Sequence, residues 1–160
     1  MDYLIEKHPA FVIAGTSKKM KKDNADIGIK EFWREITNND ALNKIHEVKT
    51  RDSIFTGRIV AICQEHNLEE DEIIYTIGTE YDKNQSVYAL ELISIPEHKW
   101  IKFKFVGNIE DNLDISKEEV FGFLNNLKEK HDSKLYLEVY ADDNKEEDDY
   151  KFEIWVPIIE

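Results

Sequence analysis

Tyr136, Glu138 and Tyr140 stand at alternate positions of a run, Tyr136-Leu137-Glu138-Val139-Tyr140, whose aromatic and β-branched content favours a strand. Side chains two apart on a strand share a face. The carboxylate is therefore expected between two phenol rings, with Leu135, Leu137 and Val139 turned the other way. That is the chemistry of a cation site: the carboxylate supplies charge, and a ring face adds ~0.5–2 kcal/mol of cation–π attraction. The same run also reads as a surface strand whose glutamate meets only water. Trp33, Tyr75, Phe105 and Trp155 admit two readings as well, either core packing or the wall of a ligand cleft. In the run 152–156, Glu153 shares a face with Trp155.

Other chemistries lack anchors. The sequence holds no glycine-rich phosphate loop and no HExxH pair. The histidines His8, His46, His66, His98 and His131 are too widely spaced to predict a zinc site. No metal, no cofactor and no catalytic residue is expected. Cys63, the single cysteine, lies in the apolar run 59–63 and reads as a buried thiol rather than a nucleophile. The acidic run 142–149 lacks the glycine of a calcium loop and reads as a solvated hairpin connection.

Two helices must help to position the candidate residues. Ile29, Phe32, Trp33 and Ile36 form one apolar stripe at helical spacing, with Asp26 as the expected cap and Asn38, Asn39 and Asp40 as the stop. Val120, Phe123, Leu124 and Leu127 repeat the spacing, and Ser116 with Glu119 has the form of a capping box at its start. Strands are expected over 11–14, 59–63, 73–81, 100–105, 135–140 and 150–156, with a further strand over 87–95. The two stripes are offset by 91 residues, and the same offset lays 10–15 on 101–106. Each half then reads strand–helix–strand–strand. The expected fold is α+β, a duplicated unit giving an antiparallel sheet, two main helices and a ligand cleft between the halves. The whole chain, 1–160, is expected to be one domain with repeats over about 3–85 and 96–159.

Composition narrows the class. The chain has 160 residues, 41% hydrophobic, and a formal net charge of −13, enough apolar content for one core. One cysteine excludes an intramolecular disulfide. No apolar run approaches the ~20 residues of a membrane span, and the start lacks the form of a signal peptide, so a cytoplasmic location with no membrane contact is expected. The acidic balance disfavours direct nucleic-acid binding, and the short basic stretch Lys18, Lys19, Lys21 and Lys22 does not reverse it.

The order of features resembles the GyrI-like effector-binding domain of bacterial transcription regulators and their stand-alone relatives. Phe11-Val12-Ile13-Ala14-Gly15 is similar to its first strand, Phe32-Trp33 to its tryptophan-bearing helix, and Tyr75-Thr76-Ile77-Gly78 to its tyrosine–glycine strand. Ile95-Pro96 through Trp100, Phe103 and Gly107 matches its proline–aromatic–glycine strand. Leu137-Glu138-Val139-Tyr140 and Ile154-Trp155-Val156-Pro157-Ile158 carry the most specific likeness, and integron cassette-associated members are the nearest in kind. The resemblance implies a pocket between the halves for hydrophobic, often cationic, small molecules, with Glu138 as the central polar contact. Trp33, Tyr75, Phe105, Tyr140 and Trp155 are the candidate walls. No residues are left for a helix-turn-helix domain, so a stand-alone binding module is expected. Two alternatives stay open: a hydrolase of strained electrophilic natural products using the same glutamate, and a gyrase-modulating module with a protein partner.

Overall fold

The computed structural model describes residues 1–50, 52–67, 71–82, 89–128, 130–132 and 134–159. Among them are eight strands: β1 (Tyr3–His8), β2 (Phe11–Lys21), β3 (Ile59–Asn67), β4 (Glu72–Glu80), β5 (Glu91–Ile95), β6 (His98–Val106), β7 (Leu135–Tyr140) and β8 (Lys151–Ile158). Helices α1 (Ala25–Asn38), α2 (Ala41–Glu47) and α3 (Ile109–Leu124) complete the elements. The expected strand over 87–95 is represented by β5; Val87 and Tyr88 lie outside the described residues. No helix among the described residues is long and apolar enough to cross a membrane.

All strands join one antiparallel sheet in the order β1-β6-β8-β7-β3-β4-β2-β5. Read outward from the central β7–β3 pair, the two directions repeat the same series of elements. The two edge strands cross over, β1 pairing with β6 of the second repeat and β5 with β2 of the first. Of these only β1 was not expected from the sequence.

The apolar stripe of α1 packs as its spacing demands. Ile29, Phe32 and Ile36 are buried against Ile59, Ala61 and Cys63 of β3 and Ile73, Tyr75 and Ile77 of β4. Its start differs from expectation, because Asn24 is the capping position and Asp26 falls inside the first turn. There the carboxylate suits the positive helix end without capping it. Asp40, with φ of 70°, ends the run in the left-handed region, and α2 follows with Ile45 wholly buried.

The start of α3 also corrects the reading. The helix begins at Ile109, capped by the Asn108 side chain, which accepts the Asp111 amide at 2.9 Å. Ser116 lies buried in mid-helix instead of forming a capping box with Glu119. Asparagine caps as well as serine, and the buried stripe runs back from Val120 through Ser116 to half-buried Leu113 and Ile109. Val120 and Leu124 pack on Ile101 and Phe103 of β6 and on Ile154, Val156 and Ile158 of β8.

The register places both helices on one face of the sheet, each over its own half. On the opposite face Phe11, Ile13, Val60, Ile62, Trp100, Leu137, Val139 and Trp155 form a second core. Phe55, from the connection between α2 and β3, closes it, with its ring 5.1 Å from Phe11 and 4.9 Å from Trp155. A sheet buried on both faces explains why β3, β4 and β8 read as nearly continuous apolar runs.

Gly15 of β2 pairs with Gly78 of β4. A Cβ built on Gly15 would lie 2.2 Å from the Ile77 carbonyl oxygen, and one on Gly78 2.4 Å from that of Ala14. Neither backbone atom can turn aside as a side chain would. Gly78→Ala is expected to lower stability by about 1–3 kcal/mol, measured by urea unfolding. An unchanged midpoint would show that the strand pair spreads freely.

Candidate functional site

The separation of α1 and α3 leaves a cleft of about 990 Å³ above the central seam. Its walls come from Ile29, Trp33 and Thr37 of α1 and from Ile109, Leu113 and Lys117 of α3; Tyr136, Tyr140 and Lys145 complete it. Carboxylates outnumber cations at its mouth, where Asp26, Glu110, Asp111, Asp114 and Glu146 stand with Lys30 and Arg34. Such a rim raises the local concentration of positively charged solutes.

Glu138 lies behind the floor that Tyr136, Tyr140 and Lys117 form, and does not itself line the cleft. The pairing of β3 with β7 sets it opposite Ala61, and it is only 1% exposed. The Tyr75 hydroxyl donates to Glu138 Oε1 at 2.5 Å, and the Tyr140 hydroxyl to the same oxygen at 3.0 Å. Lys117 Nζ is 2.5 Å from Oε2, which takes no other partner among the described residues. Trp33 Nε1 in turn donates to the Tyr75 hydroxyl at 3.0 Å. One chain of hydrogen bonds thus links α1, β4 and β7, and an ion pair ties in α3.

Aromatic rings stand over this charge. Trp33 and Tyr140 meet edge to face at 5.2 Å. Lys145, from the β7–β8 connection, lays its ammonium 4.0 Å from the Trp33 ring centre and 4.6 Å from that of Tyr140. The acidic run around it is exposed, as its charge density implies, but this one basic residue turns inward.

Burial, followed by the charge of Glu138, pushes the Tyr75 and Tyr140 phenols well above their ordinary value. Burial works against the Lys117 ammonium, but the charge and hydrogen bond of Glu138 outweigh it, and its pKa is raised. Lys145 has no such close carboxylate. Burial pulls it down to about 8 against a weaker upward pull from Glu138. Cys63 is pushed up to about 11, chiefly by burial, so it stays a thiol at neutral pH. Among the described residues no cluster of His, Cys, Asp and Glu is arranged to hold a metal ion.

Of the six residues singled out from sequence, the structure brings Trp33, Tyr75, Glu138 and Tyr140 together. Phe105 and Trp155 are elsewhere. Phe105 shares the helix-bearing face but stacks on Phe152 at 5.4 Å and lines no part of the cleft. Trp155 pairs with Leu137 rather than Glu138, which turns it to the far face. There it stacks with His8 at 5.4 Å, carries the Lys102 ammonium at 4.1 Å and donates to Glu153. Lys117 and Lys145 were not anticipated. A helix read from Asn108 would have set Lys117 on the stripe beside Ser116 and Val120, and Lys145 is the one base within its acidic run.

A duplicated α+β sheet, with a glutamate buried behind an aromatic cleft between helices α1 and α3, has the form of an effector-binding domain. The chain belongs to the Cass2 family, the integron-associated effector binding proteins, which it matches over residues 4–158. SAV2435, solved bound to tetraphenylphosphonium, has the same fold, with a TM-score of 0.88 at 18% identity over 99% of this chain and 94% of that one. An integron cassette protein from the mobile metagenome of Vibrio cholerae gives 0.67 at 13% identity, over 98% and 95%. A hydrolase from Listeria innocua gives 0.57 at 10% identity, over 98% and 91%. No curated protein matches the sequence significantly.

The Glu138–Lys117 pair predicts a stability effect. Lys117→Met leaves a buried carboxylate uncompensated and should cost about 3–5 kcal/mol; adding Glu138→Gln should recover part of that loss. Full additivity of the two substitutions in denaturant unfolding would argue against the pair. A second expectation concerns alkali. The phenol and Lys117 pKa values are raised in the folded state, so their contribution is complete below the unfolded phenol value near ~10 and falls as pH climbs beyond it. Thermal midpoints measured from pH 9 to 11.5 should fall less steeply in Tyr75→Phe/Tyr140→Phe than in the wild type.

Proposed function

We propose that this chain is a cytoplasmic binding protein for lipophilic or aromatic cations, acting through the α1–α3 cleft as a single domain of two repeats. The observation that carries the reading is the pair of rings, Trp33 and Tyr140, holding the Lys145 ammonium group in a cleft whose floor is backed by buried Glu138. At neutral pH the site holds one cation among aromatic faces although burial lowers the pKa of that lysine to about 8, so it suits a weakly hydrated cation that loses little water on entry. Its volume exceeds what one lysine side chain fills, and the acidic rim draws positive solutes toward it. SAV2435, which has this fold, is bound to tetraphenylphosphonium, a cation of the class proposed.

Glu138 does not line the cleft: one oxygen accepts from two phenols, and the other is ion-paired with Lys117. A general base needs a lone pair directed at water or substrate. This arrangement favours ligand binding over hydrolysis of an electrophile.

A thermal-shift series with tetraphenylphosphonium and the neutral triphenylphosphine oxide tests the reading. At one hundred times its dissociation constant the cation should stabilise the wild type by about 2.7 kcal/mol. Glu138→Gln should lose the preference for the cation, and Trp33→Ala should weaken binding about tenfold, the equivalent of one cation–ring contact. A folded wild type indifferent to the cation, or a Glu138→Gln variant with unaltered preference, overturns the assignment. Recovery of a strained cyclopropane ligand unchanged after long incubation would exclude the hydrolase.

A further inference from the structure

Lys145 occupies the position a ligand's charge would take, yet its element does not require it to be there. The β7–β8 connection is held by other bonds. The Lys145 carbonyl accepts the Ile109 amide at 3.0 Å, at the start of α3. Asn144 accepts the Glu146 amide through its side chain and the Glu147 amide through its carbonyl. The Asn108 side chain donates to Asp148 at 3.3 Å. These contacts fix the backbone and leave the lysine side chain to be placed by what it finds, which is the face of Trp33 and the ring of Tyr140. Lysine has the reach to swing instead to the mouth of the cleft, where five carboxylates and water await it.

Resting on the cation-binding reading above, we infer that Lys145 is a built-in competitor for that site: an incoming cation takes the place of the Lys145 ammonium between Trp33 and Tyr140 and expels it to the acidic mouth. The residue thereby sets the threshold affinity. A ligand must bring more aromatic contact than the lysine already has. Bulky, weakly hydrated cations meet that condition because they surrender little water on entry, whereas a simple alkylammonium gains nothing the lysine lacks. Lys117, tied to Glu138 at 2.5 Å, stays in place throughout.

The exchange has a pH signature whose sign is set by where the lysine goes. In the cage, burial holds Lys145 at about 8, opposed by the charge of Glu138. In water a lysine returns to ~10.4. Between those values expulsion is accompanied by proton uptake, so the competitor is held more firmly, and ligand affinity falls, as pH rises from 8 toward 10. A lysine that stayed in the cage and merely repelled the ligand would give the opposite slope. Other ionisable groups face the cage. From the floor these are Tyr136 and Tyr140, backed by buried Glu138 and Tyr75, and helix α2 brings His46 within reach of the Lys145 charge. Helix α1 contributes Asp26, Lys30 and Arg34, helix α3 contributes Glu110, Asp111, Asp114 and Lys117, and the loop itself contributes Glu146. All are retained in Lys145→Ala, so the ratio of wild-type to variant dissociation constants removes their effects.

Tetraphenylphosphonium, which does not titrate, is the probe, with calorimetric dissociation constants at pH 7.0 and 9.5. Lys145→Ala is expected to bind more tightly than wild type at both, with the advantage ~tenfold greater at pH 9.5. Binding to the variant alone would support the inference further. A ratio of one at both pH values, or a ratio that shrinks as pH rises, overturns it while leaving the cation site standing. Failure of both proteins to bind, each shown folded by its unfolding transition, removes the cation site and the competitor together. Lys145→Gln, which keeps the length without the charge, provides the same comparison if alanine disturbs the loop.

Discussion

A carboxylate at the centre of a protein has to be answered from every side, and Glu138 is answered from four elements. Removing an ion from water costs several kcal/mol even after relaxation. Here the cost is offset by two phenol hydroxyls and one ammonium, with an indole donor behind the first phenol. Each partner arrives on a different piece of chain: Tyr75 on β4, Tyr140 on β7, Lys117 on α3 and Trp33 on α1. The relative placing of both helices over the sheet is therefore coupled to one side chain. Misplacement of either helix would leave charge or hydroxyl unsatisfied, and such errors cost more than the contacts themselves gain.

Around that centre the apolar framework follows general rules. Each helix covers the half-sheet of its own repeat, because the stripe of α1 meets β3 and β4 while the stripe of α3 meets β6 and β8. Neither helix covers the seam, so the seam is where a cleft opens. The far face is sealed instead, by Phe55 and the tryptophans Trp100 and Trp155. One face of the sheet is given to packing alone, and the other divides its area between packing and a site.

Much of this was legible in the residues. The α1 stripe, the alternation of Tyr136, Glu138 and Tyr140, and the 91-residue offset led to the helix, the shared face and the duplicated halves. What was not legible depends on partners distant in sequence. Trp155 sits correctly on a strand, but which face it shares with Glu138 is decided by the β7–β8 register, and a shift of one residue reverses it. The Ser116–Glu119 signature is genuine in form, but tertiary burial of Ser116 overrode it and hid Lys117 from the stripe. Lys145 is the extreme case, since an exposed acidic run contains no local signal that one member turns inward.

The seam carries one more consequence. Its pairing sets Ala61 directly across from Glu138, next to the line about which the order of strands repeats. Opposed like charges on neighbouring strands repel, and the methyl group of Ala61 presents none. The two strands that meet at the seam differ in kind, one bearing an ion and the other a methyl group, so a sheet regular in the order of its strands holds a lopsided charge at its centre.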